Sequence, residues 1–98
     1  MGYEFDPDKS RRNKQDPSRR FDFDVSETFD WKTALTYLDT RRDYGEDRYV
    51  SYGFIRGRLH VMVWTPRKPN IRVISLRKAN LRERKFYEKE TGRNLYIQ

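Results

Sequence analysis

The clearest hydrophobic pattern lies in the second half of the chain. Two apolar stretches, "RYVSYGFI" (48–55) and "RLHVMVW" (58–64), are separated only by Arg56 and Gly57. Strand-forming runs interrupted by two residues predict a tight antiparallel hairpin. "PRKPN" (66–70) reads as a second turn and "IRVISL" (71–76) as a third strand. Links this short make the three an antiparallel meander, because a parallel crossover needs a dozen or more residues. After Arg77 and Lys78, Asn80 followed three residues later by Glu83 forms a capping box that opens a helix over 81–90, and Gly92 is placed to end it. The apolar residues of that helix are Leu81, Phe86 and Tyr87, whereas Arg82, Arg84, Lys85 and Lys89 cover its other faces.

The first half is more polar. "YEFD" predicts a short first strand. "DPDKSRRNKQ" opens with Asp6 at the N-cap and Pro7 at the first helical position, and Pro17 ends that helix by residue 16. Leu, Ile and Val are absent from residues 6 to 20. The helix therefore lacks an apolar stripe and is exposed or held by a partner. In "FDFDVSETFDW", Phe21, Phe23 and Val25 alternate, and Phe29 and Trp31 take helical spacing after the cap-like Ser26; a strand-like entry with one or two helical turns fits this. "ALTYLD" (34–39) is a short strand and "TRRDYGED" (40–47), with Gly45, a loop. The predicted class is α+β, an antiparallel β-meander sheet with N-terminal helices and one C-terminal helix, forming a single domain over 1–92. The tail "RNLYIQ" (93–98) resembles the remnant of a protease-cleavable tag, ENLYFQ, departing from it at Arg93 and Ile97, and is set aside.

Composition narrows the function. With 38% charged and 35% hydrophobic residues the chain leans toward disorder, but seven Tyr, six Phe and two Trp support a small aromatic core. The absence of Cys excludes disulfides and thiolate chemistry. No apolar run nears the ~20 residues that span a bilayer, and no signal-peptide pattern opens the chain, so a cytoplasmic protein is expected. One His and scattered carboxylates without metal-ligand spacing predict neither metal nor cofactor. The charge is local: residues 67–89 hold nine Lys and Arg against two acids, which equals the net +7 of the whole chain. Such a cluster predicts an acidic partner, nucleic acid first. An acidic protein, a solvated helix face and a membrane surface are the alternatives, the last weakened by the lack of a broad apolar helix face.

The order "FDPDK", "RRDYGEDR", a strand with Gly53, "VWTPR" and "RVISLRKANLRERKFYE" resembles the BrnT family of bacterial toxins over roughly residues 4–88. Its most specific parts are "GEDR" (45–48) and the set Arg72, Ile74, Ser75, Arg77, Ala79, Glu83, Arg84 and Tyr87. The resemblance implies a RelE-like fold and a ribonuclease that arrests translation. It further implies neutralisation by a cognate BrnA antitoxin with a ribbon-helix-helix-type module, the complex repressing its own promoter, so that operator DNA is reached only through the antitoxin. One departure stands out: family members follow the first Asn with a Lys-His-Gly run, whereas the corresponding place after Asn13 reads Asp16, Pro17, Ser18. A module of the same fold that binds nucleic acid or antitoxin with little cleavage is therefore the second reading.

Metal-independent RNA cleavage must deprotonate a 2′-hydroxyl, stabilise charge on the phosphorane and protonate the departing 5′-oxygen. Arg suits the middle task, because its planar fork pairs two phosphate oxygens with fixed charge. Arg77 and Arg72 are the candidates. In a regular strand their parity places them on opposite faces, which favours Arg77. His60 suits a general base or acid, or is an ordinary side chain on one sheet face. Tyr87 can stack on a base or lend a hydroxyl, or belongs to the core; Glu83 is a base or simply the cap. Arg58, Arg67 and Lys68 near the turns, with Lys78, Arg82, Arg84 and Lys85 around the helix start, are candidate RNA-backbone contacts. Tyr49, Tyr52 and Trp64 are stacking platforms or core residues. Lys9, Asn13, Phe21 and Phe23 are candidate antitoxin contacts.

Overall fold

A computed structural model describes residues 2–4 and 28–93. The helix expected over 7–16, the strand-like entry at 21–25, the candidate antitoxin contacts Lys9, Asn13, Phe21 and Phe23, and the end of the tail lie outside the described residues. The elements are β1 (Tyr3–Glu4), β2 (Asp30–Leu38), β3 (Tyr49–Ile55), β4 (Arg58–Arg67), β5 (Asn70–Lys78) and α1 (Leu81–Thr91). They form an α+β arrangement around one sheet of order β1-β5-β4-β3-β2.

The strands β2 to β5 form the antiparallel meander, and β1 lies parallel to β5, pairing Tyr3 with Ile71 and Glu4 with Arg72. The sheet is therefore mixed, not wholly antiparallel. Only the later strands are joined by short links; β1 precedes β5 by most of the chain, and nothing in that connection forces antiparallel pairing. At the β3–β4 turn Arg56 and Gly57 both adopt positive φ, 51° and 77°, the backbone that a two-residue hairpin matched to the strand twist demands. The strand β4 runs on through Pro66 to Arg67, beyond the predicted end. Past Trp64 it has no β3 partner, and such a one-sided position tolerates a residue without an N–H.

Trp31 does not continue a helical turn, because β2 begins at Asp30. Phe29 and Trp31 are two residues apart, a spacing that also serves alternation. The local irregularity instead comes from Asp30, whose carboxylate accepts from the Lys32 N–H (3.0 Å) and the Thr33 hydroxyl (2.9 Å), just where the β2–β3 register shifts.

One sheet face carries Ile55, Met62, Ile71, Val73 and Leu76, all buried under Phe29, with Tyr3, Trp31, Ala34 and Trp64 packed around them. The other face carries α1. Asn80 caps it reciprocally with Glu83, and Gly92 closes it in the left-handed conformation. With so few apolar residues, α1 depends on two aromatics. Tyr87 is fully buried, its ring edge-on to Phe54 at 5.5 Å and its hydroxyl donating to the Thr33 carbonyl at 2.7 Å. Phe86 packs on Tyr37 and Tyr52 at 5.7 and 5.4 Å between ring centres. Among the described residues no helix is long and apolar enough to cross a membrane.

Candidate functional site

The helix leaves part of its sheet face open. There Tyr52, Val61 and Arg77 stand in register across three strands, β3 to β5, and therefore project to the same side. Two interstrand steps put the backbones of Tyr52 and Arg77 roughly 10 Å apart, with only the short Val61 side chain between them. Val50, Val63, Tyr37 and Phe86 complete the floor and wall, and Arg41 closes the end of a groove of about 300 Å³.

Each arginine is fixed by its own carboxylate. Arg77 donates from both terminal nitrogens to the two oxygens of Glu83, each at 2.7 Å, while Glu83 also accepts from the Asn80 N–H at 2.9 Å. The residue that caps the helix thus aims the guanidinium. Hydrogen bonding to Glu83 raises the pKa of Arg77, and the same bond holds Glu83 below the usual carboxylate range. This fork takes two of five guanidinium N–H groups and the Lys78 carbonyl accepts a third at 3.4 Å, which leaves two for a ligand.

Arg41 repeats the device from a loop. Its Nε and one terminal nitrogen donate to Asp39 at 2.9 and 2.8 Å, and the Tyr44 hydroxyl donates to the same carboxylate at 3.0 Å. The Asp39 carboxylate is almost fully buried, whereas Arg41 remains 72% exposed. Hydrogen bonding to Arg41 holds Asp39 well below the ordinary carboxylate range, although burial opposes this. The "GEDR" stretch anchors the loop. Gly45 takes positive φ (73°), the Arg48 carbonyl accepts from the Asp39 N–H at 2.7 Å, and the Asp47 carbonyl accepts from the buried Thr65 hydroxyl at 2.7 Å. Glu46 pairs with Arg67 at 3.2 Å and with Arg48 at 3.6 Å, and the Arg48 guanidinium lies 4.2 Å from the Tyr44 ring centre. The motif is thus a scaffold for the loop that presents Arg41.

Arg72 shares a face with Arg77, contrary to the parity of a regular strand. Between Val63 and Trp64 the register advances one residue on β4 but two on β5, so Ile74 is a bulge residue that reverses the parity of everything before it. Convergence does not follow. Their partners on β4, Thr65 and Val61, are four residues or roughly 13 Å apart, and Arg72 lies 3.6 Å from Glu4, at the β1 edge. His60 projects to the other face, 1% exposed, its Nδ1 2.7 Å from the Arg58 carbonyl, and burial lowers its pKa. It is separated from Arg77 by the sheet itself. Tyr87 is held in the core as described. Trp64 likewise packs, stacked on Tyr49 at 4.8 Å and donating to Ser51 at 2.8 Å. Arg67 and Lys68 lie at the far end of the sheet from the hairpin, Arg82 and Lys85 are exposed on α1, and Arg58, Lys78 and Arg84 border a separate cavity. Sequence reasoning missed Arg41 and Asp39, whose only signal was position inside the RRDYGEDR stretch, and it left Tyr52 among the stacking aromatics.

The chain is thus an α+β domain that holds two carboxylate-paired arginines along an open, aromatic-lined part of its sheet face. A sequence model described as "Ribonuclease toxin, BrnT, of type II toxin-antitoxin system" matches residues 5–83, and the chain belongs to that family. A type II system implies a protein antitoxin as partner. No curated protein and no solved structure gives a significant match.

Proposed function

We propose that this chain is a RelE-like endoribonuclease toxin that cleaves RNA in the groove between Arg41 and Arg77, without a metal or cofactor, and so arrests translation. The observation that carries the reading is the pair of carboxylate-oriented guanidiniums facing one aromatic groove. A phosphodiester seated between them meets guanidinium N–H donors already held in place as charge builds on the phosphorane, with no side chain having to reorganise. The rings of Tyr37, Tyr52 and Phe86 offer stacking surfaces for the flanking bases. Burial, assisted by the Glu83 charge and opposed by that of Arg77, pushes the Tyr52 phenol above its usual range. A ribbon-helix-helix-type antitoxin neutralises the toxin by occupying this face, and operator DNA is reached through its module in an autorepressing complex.

Incubation with single-stranded RNA in excess EDTA tests the reading. Fragments are expected from the native chain, and Arg77→Ala reduces kcat by about 10²–10³, the usual cost of one lost transition-state donor. A second reading, a binding module with little cleavage, draws on a specific observation: in the groove Glu83 and Asp39 are shifted down and Tyr52 up, all away from neutrality. Salt-dependent binding without fragments would establish it.

A further inference from the structure

The two groove arginines do not stand on equal foundations. Arg77 extends from β5 and meets a carboxylate on the capped helix, whereas Arg41 lies in the loop after β2 with its side chain 72% exposed. A long side chain on a loop holds one direction only when its neighbours fix it. Asp39 does so side-on. Its Oδ1 accepts from the Arg41 backbone N–H at 3.2 Å and from Nε at 2.9 Å, and its Oδ2 accepts from one terminal nitrogen at 2.8 Å. The side-chain fork uses two of the five guanidinium N–H groups and leaves three on the side turned away from Asp39.

Those contacts join residues only two positions apart, so by themselves they let the carboxylate and the guanidinium turn together. Among the described residues, the Tyr44 hydroxyl is the one donor to this carboxylate that does not belong to Arg41, 3.0 Å from Oδ2. Tyr44 is in turn tied to the sheet. Its ring centre lies 4.2 Å from the guanidinium of Arg48, the residue just before β3, whose carbonyl accepts from the Asp39 N–H at 2.7 Å. Gly45, at φ 73°, donates to the Asp43 carboxylate at 2.9 Å and closes the turn that carries Tyr44. The Asp39 side chain is 1% exposed, and a buried charge that loses a donor must recruit another or move. Tyr44 is not among the residues lining the groove, so its hydroxyl acts on a ligand there only through Asp39 and Arg41.

We propose that Tyr44 is a positioning residue for substrate binding: through Asp39 it sets the direction of the Arg41 guanidinium and keeps the remaining N–H groups turned to a backbone phosphate in the groove. The assignment rests on the groove being the RNA-facing site. It extends the working parts of that site to a residue that never touches substrate. Donors held in place beforehand need not be ordered on binding, and a small misdirection is enough to weaken them.

Fluorescence anisotropy with a single-stranded RNA that is 2′-O-methylated throughout, and so lacks the attacking hydroxyl, measures this in the full chain independently of cleavage. Arg41→Ala should weaken binding. Tyr44→Phe, which keeps the ring against Arg48 and removes only the hydroxyl, should weaken it several-fold but by less. In the Arg41→Ala background Tyr44→Phe should have no further effect, because its contribution passes through the guanidinium; in the Arg77→Ala background its full effect should persist. A general loosening of the loop would instead lower affinity alike in both backgrounds. Such equal losses, or an unchanged affinity for Tyr44→Phe alone, overturn the proposal and leave the groove standing. If Arg41→Ala and Arg77→Ala both bind as the native chain does, the groove reading itself falls and the proposal with it. Nitrogen-15 relaxation of the Arg41 Nε–H adds a readout without RNA: the bond vector should be ordered in the native chain and more mobile in Tyr44→Phe, and equal order in the two overturns the positioning role.

Discussion

Gly53 lies beneath the Phe29 ring, and Gly53→Ala tests whether that contact organises the core. A Cβ built on Gly53 would stand 2.3 Å from Phe29 Cζ, 2.6 Å from Cε2 and 2.9 Å from Cε1. Carbon atoms pack best at about 3.5–4.0 Å, so the ring must retreat by about 1 Å or more. It has little room to do so. Phe29 is 5% exposed and meets Trp31 edge-on at 4.7 Å; Trp31 is in turn held by its N–H to the Tyr3 hydroxyl (2.7 Å) and by Trp64 at 5.6 Å. Overpacking of this kind costs about 1–3 kcal/mol, and the tight surroundings put Gly53→Ala at the upper end. Replacing a strand glycine returns about 0.5–1 kcal/mol through lower unfolded-state entropy. The expected net loss is about 2 kcal/mol. In urea, with a slope of about 1–3 kcal/mol per M, the unfolding midpoint should fall by about 1 M at unchanged slope. Trimming the ring in Phe29→Leu should recover part of the loss, so the double variant costs less than the sum of the singles by about 1 kcal/mol. A neutral or stabilised Gly53→Ala, or strict additivity in the cycle, refutes the packing argument.

Two further substitutions address single bonds. Tyr87→Phe removes the hydroxyl that donates to the Thr33 carbonyl and should cost about 1–1.5 kcal/mol, seen as a lowered thermal midpoint; unchanged stability with lost RNA cleavage would instead make the hydroxyl a reacting group. Asp39→Asn addresses acid stability. The Asp39 pKa is depressed on folding, so the unfolded chain binds the proton more readily, and the contribution is present above about pH 4 and lost as pH falls further. Denaturant midpoints of the native chain should drop on acidification below that point more steeply than those of Asp39→Asn, and parallel curves would refute the assignment.

Local signals in the sequence were enough for much of the second half. The Arg56–Gly57 turn, the Asn80–Glu83 capping box and Gly92 are each defined by residues within four positions of one another, and local backbone chemistry settles them whatever the rest of the chain does. Charge clustering and the order of the RRDYGEDR and RVISLRKAN stretches pointed to the family in the same way, since both are properties of the string of residues. The site itself was decided by tertiary structure. A bulge at Ile74 reverses strand parity, and it depends on how β4 and β5 align, which periodicity in either strand does not encode. The approach of Arg41 to the Arg77 groove depends on β2 and the anchored loop reaching the face that α1 leaves open. The separation of His60 from Arg77 follows from which face the aromatic core claims. The parallel seat of β1 beside β5 was likewise set by long-range pairing. Contacts between residues distant in sequence are fixed by packing and register together, and these come into being only when the sheet assembles.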